Sequence, residues 1–328
     1  TFLALAGAGA VRGRPDVEVD LGLDHTYHTA DVLVFLGGDV EDGWAGSLRV
    51  GLSGAGSPPG DATLAPALFA ATPSPSASKP DPWRAFIGDV PMTTRAVGAV
   101  RFTRPSGQYM LRVSDPDGPM LALPLTVLPG HVTLVVMTRD AERPIALTAF
   151  LLAREGALIG DADFLAPAAD TPVPGPDRRL MPTRRLDLMQ RAAASGRAWL
   201  AREEIDAVLD LRWRDPLAGA LGAFLALRRD AAPKLGPVAG WLAEAHPTLP
   251  DAHVLSGIVA EAESDPERAA ACYRKALDIG TPMLRDATSR LLAGATRFAI
   301  GHPGLPALRA HAARPAADPV LSAVMDDA

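Results

Sequence analysis

The feature that most constrains this chain is a change of hydrophobic period partway along it. Up to about residue 155, apolar residues recur at every second position, the spacing that puts alternate side chains on one face of a strand. Beyond about residue 183 they recur every three to four positions, the spacing of a helix face. A chain of 328 residues exceeds one ordinary hydrophobic core, so a domain on each side of the change is the natural partition. The reading is an α+β multidomain protein. An N-terminal antiparallel β-sandwich over 1–155 is followed by a linker over 156–182 and a C-terminal all-α, helical-repeat domain over 183–328.

The period-two stretches place strands at 17–21, 31–36, 47–53, 99–104, 108–113, 120–127, 131–138 and 144–152. Turn chemistry bounds them, as at Gly37-Gly38, Pro105-Ser106-Gly107 and Pro129-Gly130. A parallel sheet needs helical crossovers, and no helical period separates these strands, so a sandwich of short antiparallel strands follows. Residues 57–81 are rich in Pro, Ser and Ala and read as a long loop, with a short helix at 64–71 as the alternative. The linker carries Pro172-Val173-Pro174-Gly175-Pro176. In the helical half, Asp215-Pro216 supplies a capping carboxylate and a first-turn proline.

Three segments carry resemblances. Gly107-Gln108-Tyr109-Met110-Leu111-Arg112-Val113 resembles the G-x-Y-x-L-R-V strand of transthyretin-like and carboxypeptidase-regulatory-like sandwiches, which implies a structural or recognition module. Residues 251–280 resemble a tetratricopeptide (TPR) hairpin: Gly257, Ala269, Tyr273 and Ala276 follow one another at spacings of 12, 4 and 3. Ser264-Asp265-Pro266-Glu267 reads as the turn between its helices, and Gly280 and Pro282 as its end, with Gly280 in a left-handed cap. The match departs from the family where His253, Ser256 and Ala260 stand at positions that are usually aromatic. The resemblance implies a groove lined by those three side chains that holds a peptide. Helices at 215–229, 235–245 and 283–297 would cover the hairpin as degenerate repeats. The third segment, Trp213 to Phe224, is similar to a helical stretch behind protease domains, caspase-like ones included, in multidomain bacterial proteins; it implies an accessory or regulatory part.

Charge narrows the partners. A net charge of −6 and an isoelectric point near 5.6 give no global attraction to nucleic acid or to an anionic membrane surface. No run approaches the roughly 20 apolar residues that cross a bilayer, although residues 2–10 resemble the tail of a signal peptide's apolar stretch without a basic segment before it. A single cysteine, Cys272, cannot form an intramolecular bridge and points to the cytoplasm.

No catalytic set assembles in the sequence. Cys272 reads as a small buried hydrophobe on a packing helix, and no G-x-S-x-G elbow or phosphate-binding glycine loop occurs. The pairs Asp161/Asp163 and Glu203/Glu204 read as solvated. His131, His246, His302 and His311 read as capping or solvated residues, and the paired arginines at 178–179, 184–185 and 228–229 as helix-end charge. The densest set of metal-ligating types is His25 and His28 with Asp31 nearby, but a strand would point the two rings to opposite faces. The expectation is a protein that is not an enzyme, a cofactor-free binding or regulatory scaffold for a protein or peptide partner. The alternative is a metal-dependent enzyme or small-ligand binder that uses the His25/His28 loop.

Overall fold

The computed structural model describes residues 29–37, 49–54, 63–66, 96–114, 120–140, 143–153, 205, 209–213, 215–228 and 235–326. Alternating apolar residues build the strands. These are β1 (Thr29–Gly37), β2 (Arg49–Gly54), β3 (Thr63–Pro66), β4 (Ala96–Pro105), β5 (Gly107–Ser114), β6 (Met120–Val127), β7 (His131–Asp140) and β8 (Arg143–Ala153), with a short β9 (Val324–Asp326) at the far end of the sequence. They form two sheets, one in the order β4-β1-β7-β8 and the other β3-β2-β5-β6-β9. The expected strand at 17–21 lies outside the described residues.

Three details differ from the expectation. Strands β1 and β7 pair in parallel, Asp31 opposite Val132 through Gly37 opposite Thr138, so the first sheet is mixed rather than wholly antiparallel. The long connection that a parallel pair requires is there, and its described residues include strands of both sheets. Second, part of the segment read as loop or helix at 57–81 is a strand: β3 adds to the edge of β2, Arg49 opposite Pro66, where unpaired backbone groups would otherwise face solvent. Third, β9 pairs with β6, so the last described residues join a sheet of the N-terminal half.

Among the described residues six helices follow a short 3₁₀ turn at Asp210–Trp213: α1 (Pro216–Leu227), α2 (Gly236–Ala245), α3 (Pro250–Ala262), α4 (Pro266–Ile279), α5 (Arg285–Arg297) and α6 (Leu305–Ala312). The protein is thus α+β, with strands in its first half and helices in its second. Helix α1 is buried on every side from Pro216 to Ala226, as befits a stretch with no charged residue. Its N-cap Asp215 accepts from Leu217 N and Ala218 N at 3.0 and 3.1 Å, and the same Oδ1 accepts from Leu151 N of β8 at 3.2 Å. One carboxylate therefore starts the helix and fastens it to the sheet.

Strand β6 loses its alternation: Leu121 to Leu128 are all buried, the pattern of a strand covered on both faces. Part of that cover comes from the helical half, where Met283 Sδ accepts from Thr126 N at 3.4 Å. A single apolar core runs from the strands into the helices. The expected boundaries at 155 and 183 fall outside the described residues.

Helices α3 and α4 form a hairpin whose packing rests on glycine. A Cβ placed on Gly257 of α3 would lie 2.7 Å from Tyr273 Cε1 of α4, and one on Gly294 of α5 would collide with the other edge of that ring, at Cε2 and Cδ2. The two glycines therefore clamp the ring, which is 1% exposed. Its hydroxyl donates to Glu261 Oε1, and Arg297 Nη1 donates to Glu261 Oε2. Asp265 caps α4 by accepting from Arg268 N at 3.0 Å. Gly280 ends the helix at φ +146° and ψ −156°, a conformation open to glycine but different from the expected left-handed cap; a Cβ there would also press on Gln108 of β5.

Candidate functional site

The expected groove does not form on α3. Ser256 is buried, and its hydroxyl donates to Ala239 O at 3.2 Å and Ala252 O at 3.0 Å; Ala260 is fully buried. Helix α2 and the sheet-facing helix α1 pack against α3, so the small residues at these positions admit neighbouring helices instead of a peptide. His253 is half-buried, with Nε2 2.9 Å from Pro247 O. His25 and His28 lie outside the described residues, and Asp31 lies in β1. Cys272 is half-buried and burial pushes its thiol above the ordinary range, the reverse of an activated thiolate.

A different set of side chains converges where the sheets meet the helices. Among the described residues Trp213 is the one large hydrophobic side chain left exposed, at 56%. Its ring lies 4.2 Å from that of Trp241 on α2, centroid to centroid and inclined at 61°. Trp241 meets His246 edge-on at 5.4 Å, and His246 meets His131 edge-on at 5.1 Å. A file of four rings thus runs from solvent to the start of β7. The guanidinium of Arg212 lies over Trp213, 4.7 Å from its centroid, a cation–π arrangement.

Local sequence holds each member in place. The 3₁₀ turn that carries Arg212 and Trp213 lies directly on α1 at Gly219, where an added Cβ would be 2.5 Å from Arg212 Cβ. Trp241 projects from α2, and His246 caps that helix through its backbone N–H to Leu242 O. His131 Nδ1 lies 2.8 Å from Pro129 O, so the proton sits on Nδ1 and Nε2 is left as the acceptor. Nearby, Gln108 Nε2 donates to Thr248 O at 3.1 Å and ties β5 to the turn after α2.

Both histidines are held neutral. Burial, then repulsion from His131, lowers the His246 pKa to about 4, and burial lowers that of His131 despite the bond to Pro129. Of the expectation that these residues are capping or solvated, His246 does cap α2, but neither ring is solvated: both are half-buried members of an aromatic contact. His311 is corrected likewise, being buried with Nε2 2.7 Å from Ser322 O, while His302 bonds Asp278 at 3.0 Å. The sequence offered Trp213 only within a resemblance. Its exposure beside a buried helix was not legible from spacing.

One buried carboxylate escaped the sequence reading altogether, and the burial of a second, the expected cap Asp215, escaped it too. Asp251 of α3 accepts from Met283 N at 3.0 Å and Leu284 N at 2.9 Å, and so pins the loop between α4 and α5. Burial outweighs these bonds and raises its pKa to about 6, as it does for Asp215. Among the described residues no three His, Cys, Asp or Glu side chains gather where they could hold a metal ion. No described helix is long and apolar enough to cross a membrane.

The fold and this surface define an α+β protein with a rigidly mounted aromatic contact. No family model matches the chain, and no solved structure matches it. A probable protease of a Desulfuromonadales bacterium is 32% identical over 197 residues, which is 60% of this chain and 23% of that protein. The matched stretch spans about a quarter of the relative's length. This finding corrects the expectation that the protein is not an enzyme: the relative's name points to proteolysis.

Proposed function

We propose that these residues form the recognition or regulatory part of a bacterial protease polypeptide, a scaffold that holds a protein or peptide partner. The observation that carries the reading is the exposed Trp213, buttressed by Trp241 and two neutral histidines, in a chain similar to a stretch of a probable protease. Exposed tryptophans on rigid supports are the side chains that most often dominate protein interfaces. We read the two sheets as a sandwich of the transthyretin-like kind, supported by the Tyr109 hydroxyl, which donates to Pro105 O at 2.9 Å and closes the β4–β5 turn. We read α3–α4 as a TPR-type hairpin, supported by the contact of Gly257 with Tyr273. The partner is protein rather than nucleic acid, and the place of action is the bacterial cytoplasm.

The test uses the full-length protease with Trp213→Ala. The expected outcome is unchanged cleavage of a short fluorogenic peptide and weakened cleavage of a protein substrate, seen as a raised KM. Loss of short-peptide cleavage in a folded variant, or no effect on either substrate, rejects the reading.

A further inference from the structure

Charge is unevenly spread over the chain. Residues 266–312, which hold α4, α5 and α6, carry seven Lys and Arg against three Asp and Glu, a net of +4 in a chain whose total is −6. The rest of the chain therefore carries −10.

The excess concentrates on α5. Its exposed residues are Arg285, Ser289, Arg290, Ala293, Thr296 and Arg297, which at 100° per residue fall within one sector of the helix. Three are arginines and none is acidic. The acid of this helix, Asp286, is occupied by Arg228, whose Nη2 lies 2.7 Å from Oδ2. Arg297 binds Glu261, whereas Arg290 has no hydrogen bond or ion pair among the described residues. On α4, Arg274 and Lys275 are exposed and equally without such partners, and so is Arg309 on α6. Arg285 stands in the first turn of α5, the end at which the helix dipole disfavours a cation. Its guanidinium instead reaches out of the helix, where Nη1 donates to Asp318 O at 3.5 Å.

We propose that the exposed face of α5 docks an acidic segment of a partner protein, with Arg290 and Arg297 as its main contacts. The two arginines stand seven residues, about two turns, apart and so lie along one line of the exposed helix face. The occupant is a short acidic peptide and not a nucleic acid, because a duplex extends far beyond one helix face and would meet the field of the −10 remainder, whereas a short segment stays within a Debye length, about 10 Å at 0.1 M salt, of the arginines. The inference goes beyond the reading of the Trp213 surface and stands without it, because these helices are basic whatever Trp213 contacts.

The test is fluorescence anisotropy of a labelled octaglutamate peptide with the full chain at about 50 mM salt. Four further proteins are measured: Arg290→Glu, Arg290→Gln, Glu244→Lys on the exposed side of α2, and the double variant Arg290→Glu/Glu244→Lys, which restores the net charge of −6. Saturable binding by the wild type is expected. It should weaken about tenfold or more with Arg290→Glu and less with Arg290→Gln, and the double variant should stay as weak as Arg290→Glu. Circular dichroism confirms folding, and Arg290→Gln carries the test if the glutamate variant fails to fold. Three results would each overturn the proposal: no saturable binding, wild-type affinity in the double variant, or a 20-base-pair DNA duplex binding as tightly as the peptide.

Discussion

Replacing Gly257 by alanine separates two forces that act on it in opposite directions. In an isolated helix the change stabilises by roughly 1 kcal/mol, because glycine loses more backbone freedom and adds no side chain. Here the new methyl would sit 2.7 Å from Tyr273 Cε1, 2.9 Å from Cζ and 3.0 Å from Cδ1. The ring cannot withdraw, because Gly294 abuts its far edge and Glu261 holds its hydroxyl. Overpacking of this kind costs about 1–3 kcal/mol. It outweighs the propensity gain, so Gly257→Ala should destabilise by about 1 kcal/mol and lower Tm by a few degrees. In a Tyr273→Leu background the obstruction is gone and the same change should stabilise, giving a coupling of about 2 kcal/mol. Urea and thermal unfolding of the four proteins in the cycle measure this. Stabilisation by Gly257→Ala alone, or simple additivity, would refute the clamped ring.

Other expectations concern charge and capping. For Asp215 and Asp251 the folded pKa, about 6, exceeds the 3.8 of a free aspartate, so their contribution is fully present below about pH 4 and is lost as pH rises through 6. Asp251→Asn should therefore flatten the fall of Tm between about pH 4 and 6 relative to the wild type, and an unchanged slope would contradict it. His246 has the opposite sign: its folded pKa is depressed to about 4, so its contribution is lost as pH falls from 6.5 toward 4. NMR should find its ring neutral at pH 5.5, whereas a midpoint near 6.5 would show that the ring is not buried against Trp241 and His131. Asp265→Ala removes the cap of α4 and should cost about 1 kcal/mol, read from the urea midpoint.

Much of the scaffold was legible because it depends on neighbours in sequence. Alternation in 120–127 marks β6 to the residue, and Asp215-Pro216 and Asp265-Pro266 mark the starts of α1 and α4, because a capping carboxylate reaches only two or three residues along the chain. The Gly257 to Tyr273 spacing announced a close helix pair, since a hairpin with a short turn fixes which residues oppose. Contacts between distant segments were not legible. Nothing local told β1 to accept β7 in parallel, β9 to join β6, or Trp213 to meet Trp241. Ser256 and Ala260 look like groove residues in one hairpin and become core once α2 lies over them. The sequence by itself determined where chain elements start, stop and turn, because those steps are settled by dihedral preference and short-range hydrogen bonds. Tertiary structure alone decided which faces are covered, and hence which carboxylates and imidazoles are desolvated, because burial is a property of the neighbours that folding brings in.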